Sequence, residues 1–106
     1  MDTRDILRQI VDRVRRVADP RRIVLFGSQA RSEARENSDF DILVVRPSRA
    51  PRFQRSAPIY AALADLPVEV EVVVYTPSEI EDWSKVPQAF VTTAIREGRV
   101  LYERES

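Results

Sequence analysis

The chain contains no cysteine, no histidine and only two glycines, and no stretch of it stays apolar long enough to span a bilayer. Each absence removes a class of chemistry. Without cysteine there are no disulfides, no thiolate nucleophile and no sulfur-ligated cluster, as suits a reducing compartment. Without histidine, Ser-His triads, imidazole general bases and the common zinc sites are excluded. Any metal must be held by oxygen ligands, which points to magnesium or manganese. Glycine is confined to Gly27 and Gly98, so there is no phosphate loop of the Gly-x4-Gly-Lys-Ser/Thr type. Lysine is nearly missing too: Lys85 stands alone, and basic charge is carried by arginine. The formal net charge is zero, but 13 arginines against 8 acids precede residue 56 and 4 basic residues against 9 acids follow, a net of +5 and then −5. That balance argues against a protein whose main task is gripping long nucleic acid. At 106 residues the chain is expected to form a single domain, residues 1–106. It is read as soluble and cytoplasmic, without membrane segment, leader or separate substrate domain.

What is present is a succession of periodic segments. Ile6, Leu7, Ile10, Val11, Val14 and Val17 recur at helical spacing. They predict a helix over 3–18, capped by Asp2 or Thr3 and ended by Asp19-Pro20. The apolar runs at 22–27 and 39–45 read as buried strands. Between them, Ser28 opens a short helix to about Ala34, and 35–38 turn back. The Pro- and Arg-rich segment from Arg46 to Ser56 reads as an exposed loop running into a helix over 52–65, with Pro58 as its weak point. Residues 68–75 predict a third strand, and Thr76-Pro77-Ser78-Glu79 starts a helix by a cap-and-proline signal. A further helix over 86–97 closes at Gly98 as its C′ residue, and 99–103 make a last strand. The order α-β-α-β-α-β-α-α-β predicts an α/β fold, a small sheet packed with helices.

One pattern carries chemistry. Gly27-Ser28 falls where the first strand ends, and after ten residues Asp39-Phe40-Asp41 opens the second. Side chains alternate along a strand, so Asp39 and Asp41 share one face and Phe40 and Ile42 the other. Neighbouring carboxylates repel, and a shared cation keeps both ionised. A glycine permits close backbone approach, and a serine at a helix start offers a hydroxyl and free amides to an anion. Arg31, one turn on, is placed to pair with the same phosphates. The bland alternatives are a tight strand-helix turn with a serine cap and a pair of solvated strand-edge acids; the two units in tandem favour metal-assisted nucleotide chemistry. In the third strand, Glu69 and Glu71 share a face with Val73, opposite Val68, Val70, Val72 and Val74. Spacing leaves open which glutamate joins the aspartates. Arg46, Arg49, Arg52 and Arg55 follow the second strand at three-residue intervals, either as a solvated face or as arms closing over the nucleotide. Trp83, Phe90 and Tyr102 read as packing residues rather than base-stacking ones.

Leu25-Phe26-Gly27-Ser28-Gln29-Ala30-Arg31 and then Ser38-Asp39-Phe40-Asp41-Ile42-Leu43-Val44 resemble the minimal nucleotidyltransferases of the DNA polymerase β superfamily. The resemblance extends through Val70-Glu71-Val72-Val73-Val74-Tyr75-Thr76-Pro77 and covers most of residues 20–80. It implies a polymerase-β-type nucleotidyltransferase core. It also places the third carboxylate at Glu71, where relatives carry aspartate; Ser32 stands where many have glycine. By the same resemblance Asp39, Asp41 and Glu71 are catalytic and hold Mg2+, with Mn2+ as the alternative, and Glu71 takes the proton of the attacking hydroxyl. Gly27, Ser28 and Arg31 hold the phosphates of ATP. The chain is too short for the helical acceptor domain of antibiotic nucleotidyltransferases, so another chain must complete the site, in a homo- or hetero-oligomer. Minimal members resemble antitoxins that neutralise HEPN-domain ribonuclease toxins by transferring AMP to a toxin tyrosine. The implied function is therefore protein adenylylation of a HEPN toxin. The alternatives are a non-catalytic module that masks a toxin, and transfer to a small-molecule hydroxyl.

Overall fold

A computed structural model describes residues 2–27 and 40–105. The first helix, α1 (Thr3–Ala18), follows the expected bounds, and Asp2 is its cap, accepting a hydrogen bond from the Asp5 amide at 3.0 Å. Ile6, Leu7, Ile10, Val14 and Ala18 form its buried stripe. The helix stops at Asp19, whose left-handed backbone (φ 43°) turns its N–H back to the Arg15 carbonyl. Pro20 cannot extend it.

Strands β1 (Arg22–Phe26) and β2 (Phe40–Val45) come next, followed by α2 (Arg52–Arg55), α3 (Ala57–Leu63), β3 (Val70–Tyr75), α4 (Pro77–Trp83), α5 (Phe90–Glu97) and β4 (Arg99–Glu103). The single helix expected over 52–65 is two. Pro58 has no N–H to donate to residue 54, so the helix restarts and Pro58 sits in the first turn of α3, where a missing donor costs nothing. Pro87 does the same to the helix expected from residue 86: residues 84–89 turn, and α5 begins only at Phe90. Gly98 ends α5, but with an extended backbone (φ −80°) rather than the left-handed one of a C′ glycine. What it supplies is the lack of a side chain: a Cβ there would lie 2.6 Å from Val24 Cγ1 and 2.8 Å from the Leu25 carbonyl.

The four strands form one mixed sheet in the order β3-β2-β1-β4. β2 and β3 are parallel; β1 is antiparallel to both β2 and β4. Alternation sorts the side chains into two cores. Ile23, Leu25, Phe40, Ile42, Val44, Val72 and Val74 face α1 and α3. Val24, Leu43, Val45 and Tyr75 meet Val91 of α5 and Ile80 of α4 on the other side. The sheet is thus covered on both faces, the α/β layering expected from the element order. The outer edge of β3 is closed by side chains. The Tyr60 hydroxyl accepts from the Val72 amide at 2.8 Å and donates to its carbonyl at 3.4 Å, and Arg55 donates to the Val74 carbonyl. Edges left open invite pairing with other chains.

Candidate active site

The parallel register pairs Asp41 directly with Glu71. On the other side of β2, Asp41 is opposite Phe26. Directly paired residues point to the same face, so Phe26, Asp41 and Glu71 form a row across three strands, at strand spacings of roughly 4.8 Å. That face also carries Leu43, Val45, Val73 and Tyr75, but further along the strands, under α4 and α5. Asp41 is half-buried and Glu71 exposed.

The register also separates the two glutamates left open by spacing. Glu69 precedes β3, is exposed, and contributes its carbonyl, which accepts from the Phe40 amide at 3.0 Å. Glu71 is the one set beside Asp41.

Gly27 completes the row. Its backbone is left-handed (φ +74°), and a Cβ there would collide with Asp41 Oδ2 and come within 3.3 Å of Asp41 Cγ. Both facts require glycine, one through backbone strain and one through space. The end of β1 thus brings main chain against the carboxylate of Asp41. Ser28, Arg31 and Asp39 lie outside the described residues. Among the described residues no three His, Cys, Asp or Glu side chains gather closely enough to hold a metal. Asp41 and Glu71 remain as an oxygen-only pair, which suits a hard divalent cation. Like charges placed opposite each other on one sheet face are destabilising on their own.

Of the arginines after β2, Arg49 and Arg52 are exposed, as a solvated face would have them, while Arg52 and Arg55 also make specific bonds. Arg52 donates to the Tyr75 hydroxyl at 2.9 Å and lies over its ring at 5.1 Å. Arg55, its side chain 9% exposed, donates to the Ala50 carbonyl and to both carboxylate oxygens of Glu79, at 2.7 and 3.3 Å. The Arg46 amide binds the Tyr75 carbonyl. All of this is at the end of β3 remote from Glu71. Thr76 and Glu79 form a reciprocal capping box there at the start of α4. The Arg55 guanidinium, with further help from the Thr76 amide, holds the Glu79 carboxyl below its ordinary value. Arg52 and Arg55 pin the loop to the sheet at the end remote from Asp41 and Glu71.

A cleft of about 470 Å3 opens beside Gly27, between the end of β1 and α5. Phe26 and Phe90 meet edge to face across it, ring centres 5.4 Å apart. Nothing in the reading of the sequence pointed to this cleft. The available signal was the spacing of Phe90, Thr93, Ala94 and Glu97, which share one helical face. Tyr102 packs under Arg15, whose guanidinium carbon lies 4.5 Å from the ring centre, and Trp83 is 44% exposed on α4.

The family described as "Nucleotidyltransferase domain" matches residues 7–99. Among solved structures the chain is similar to a toxin–antitoxin with AMP-PNP, with a TM-score of 0.64 and 23% identity over 93% of this chain and 74% of that one. It is also similar to a toxin–antitoxin MntA-HpeT mutant bearing two aspartate-to-glutamate changes, with a TM-score of 0.61 and 21% identity over the same shares. At these identities the likeness is one of fold. No curated protein matches the sequence.

Proposed function

The chain belongs to the nucleotidyltransferase-domain family, and we propose that it moves AMP from ATP to a hydroxyl of a partner protein, as the antitoxin of a HEPN-toxin pair. The observation that carries the proposal is the row Gly27–Asp41–Glu71: main chain free of side chain at a strand end, beside two carboxylates held on one sheet face. The toxin–antitoxin character of both structural neighbours, one with AMP-PNP and one with two aspartates replaced, supports the partner and the nucleotide.

In this reading Asp41 and Glu71, with Asp39, hold the divalent cation, Mg2+ or Mn2+; their oxygen-only donor set fits it. When bound, the ion supplies charge stabilisation for a phosphoryl oxygen and the leaving group. The chain's own residues do the rest. Gly27, with Ser28 and Arg31, holds the β and γ phosphates, its bare backbone leaving room for the Asp41 carboxylate beside them. Glu71, exposed on the outer strand of the row, faces the side from which an acceptor arrives and takes the hydroxyl proton. The acceptor oxygen bonds to the α-phosphorus as the bond from that phosphorus to the pyrophosphate oxygen breaks; the proton ends on the Glu71 carboxylate and pyrophosphate departs. We place this activity in one domain, residues 1–106, working in the cytoplasm with the acceptor chain completing the site. No helix among the described residues is long and apolar enough to cross a membrane.

The position of a radiolabel tests the reaction. With Mg2+, the chain and its partner toxin, label from α-labelled ATP becomes protein-bound and label from γ-labelled ATP leaves as pyrophosphate. Retention of the γ label on protein would indicate phosphoryl transfer. Neutralisation of the toxin with no label bound at all would mean that the chain acts by masking.

A further inference from the structure

The cleft beside Gly27 has no role in the reaction as written above. Its volume, about 470 Å3, falls in the range of roughly 300–1,000 Å3 typical of small-ligand pockets. Its inner wall is apolar, from Phe26 and Ala94. On its rim Phe90 is 54% exposed, with its edge-to-face contact to Phe26 holding the ring in place. Thr93 and Glu97 continue the same face of α5, and Gln88 stands just before the helix.

The two sides of this helix differ. Thr92 donates to the Trp83 carbonyl and Arg96 to the Pro87 carbonyl, so the side turned from the cleft is internally bonded. Among the described residues no such bond engages the side chains of Gln88, Thr93 or Glu97. An exposed aromatic ring, an apolar wall and an acceptor-only carboxylate suit a flat heteroaromatic ring with an amino group.

We infer that this cleft is the nucleobase subsite: a purine stacks on Phe90, and Glu97 accepts a hydrogen bond from its exocyclic amino group. The inference rests on the nucleotidyltransferase reading of the Gly27 end. Strand order supports the base as occupant in preference to the acceptor. Gly27 belongs both to the cleft and to the place assigned to the phosphates, so one nucleotide spans the two. Glu71, which meets the acceptor, is on the opposite flank of β2. The base is thereby read within this chain, with no second domain. Because the Glu97 carboxylate offers no donor, a base edge lacking an amino group leaves it unanswered.

Calorimetric titration of the full chain with Mg2+ and three ligands tests this: ATP, purine riboside triphosphate (the same rings without the amino group) and inorganic tripolyphosphate. The wild type is expected to bind ATP roughly tenfold more tightly than the riboside triphosphate, and tripolyphosphate more weakly than either. Glu97→Leu should erase the difference between the two nucleotides and leave tripolyphosphate unchanged. Phe90→Ala should weaken both nucleotides about tenfold, again sparing tripolyphosphate. Glu97 is exposed and Phe90 54% exposed; because Phe90→Ala loses the contact with Phe26, unchanged tripolyphosphate binding serves as the check that each variant is folded. Equal affinity of the wild type for ATP and tripolyphosphate overturns the subsite while leaving the reaction standing, as does an ATP preference that survives Glu97→Leu. Variants that bind ATP normally but no longer modify the acceptor also overturn it, by giving the cleft to the acceptor. Failure of every ligand to bind overturns the phosphate reading, and the subsite with it.

Discussion

The two ends of β3 use charge in opposite ways. At its start, Glu71 sits beside Asp41 across a parallel strand pair, two acids on one face. At its far end, Arg52, Arg55, Tyr75, Thr76 and Glu79 answer one another: guanidinium to carboxylate, guanidinium to phenol and carbonyl, hydroxyl to amide. The far end stabilises the fold because each desolvated charge gains a partner. The near end sets two acids side by side, and adjacent like charges repel. In the reaction proposed above, this pair is what a cation carrying phosphates would engage. Substitutions at the two ends should therefore separate activity from stability in opposite directions.

At the near end, a large effect is expected from Glu71→Gln. Loss of the proton acceptor should lower transfer on the order of a hundredfold, while the melting temperature stays level or rises with the repulsion removed. A melting temperature that fell with activity would make Glu71 structural and erase the contrast. Arg55→Ala should do the reverse. It removes a largely buried guanidinium bonded to a carboxylate and to two main-chain carbonyls, costing roughly 2 kcal/mol by chemical denaturation. Transfer per folded molecule should be unchanged, because Arg55 lies at the remote end of the strand.

Much of the framework behind this contrast was legible beforehand, for identifiable reasons. The stripe from Ile6 to Ala18 and its Asp2 cap are local signals, and they set α1 without help from the rest of the chain. Strands β1 to β3 follow from their apolar runs to within two residues at each end. Pro58, the expected weak point of its helix, marks a place where the backbone restarts, and so does Pro87, ahead of α5. The choice between Glu69 and Glu71 depends on how β3 aligns with β2, a long-range pairing that alternation within one strand does not encode. The bonds of Arg52 and Arg55 were hidden for the same reason, since their partners Tyr75 and Glu79 lie some two dozen residues away. The cleft forms only when α5 packs on β1. Of the residues expected at the site, Gly27, Asp41 and Glu71 lie near one another at one end of the sheet, and Ser28, Arg31 and Asp39 are outside the described residues.

Smaller effects sharpen the far end. Thr76→Ala removes the hydroxyl that accepts the Glu79 amide, and should cost about 1 kcal/mol without touching transfer. The pH dependence has a definite sign. Arg55 holds the folded-state carboxyl of Glu79 below its ordinary value of 4.5. Its contribution is then fully present above that value and is lost as pH falls through the lower, folded-state one. Thermal melts from pH 6 down to pH 3 should show a decline that is smaller in Glu79→Gln, which has no proton to gain there.

The measurement closest to the central claim is Asp41→Asn, read for stability and transfer on the same sample. The account predicts a variant whose melting temperature falls by less than about 4 °C, the equivalent of about 1 kcal/mol or less. Its transfer of label from α-labelled ATP to the partner should drop on the order of a thousandfold. A variant that transfers like the wild type, or one that loses activity only because it no longer folds, would contradict the assignment of this end of the sheet to chemistry.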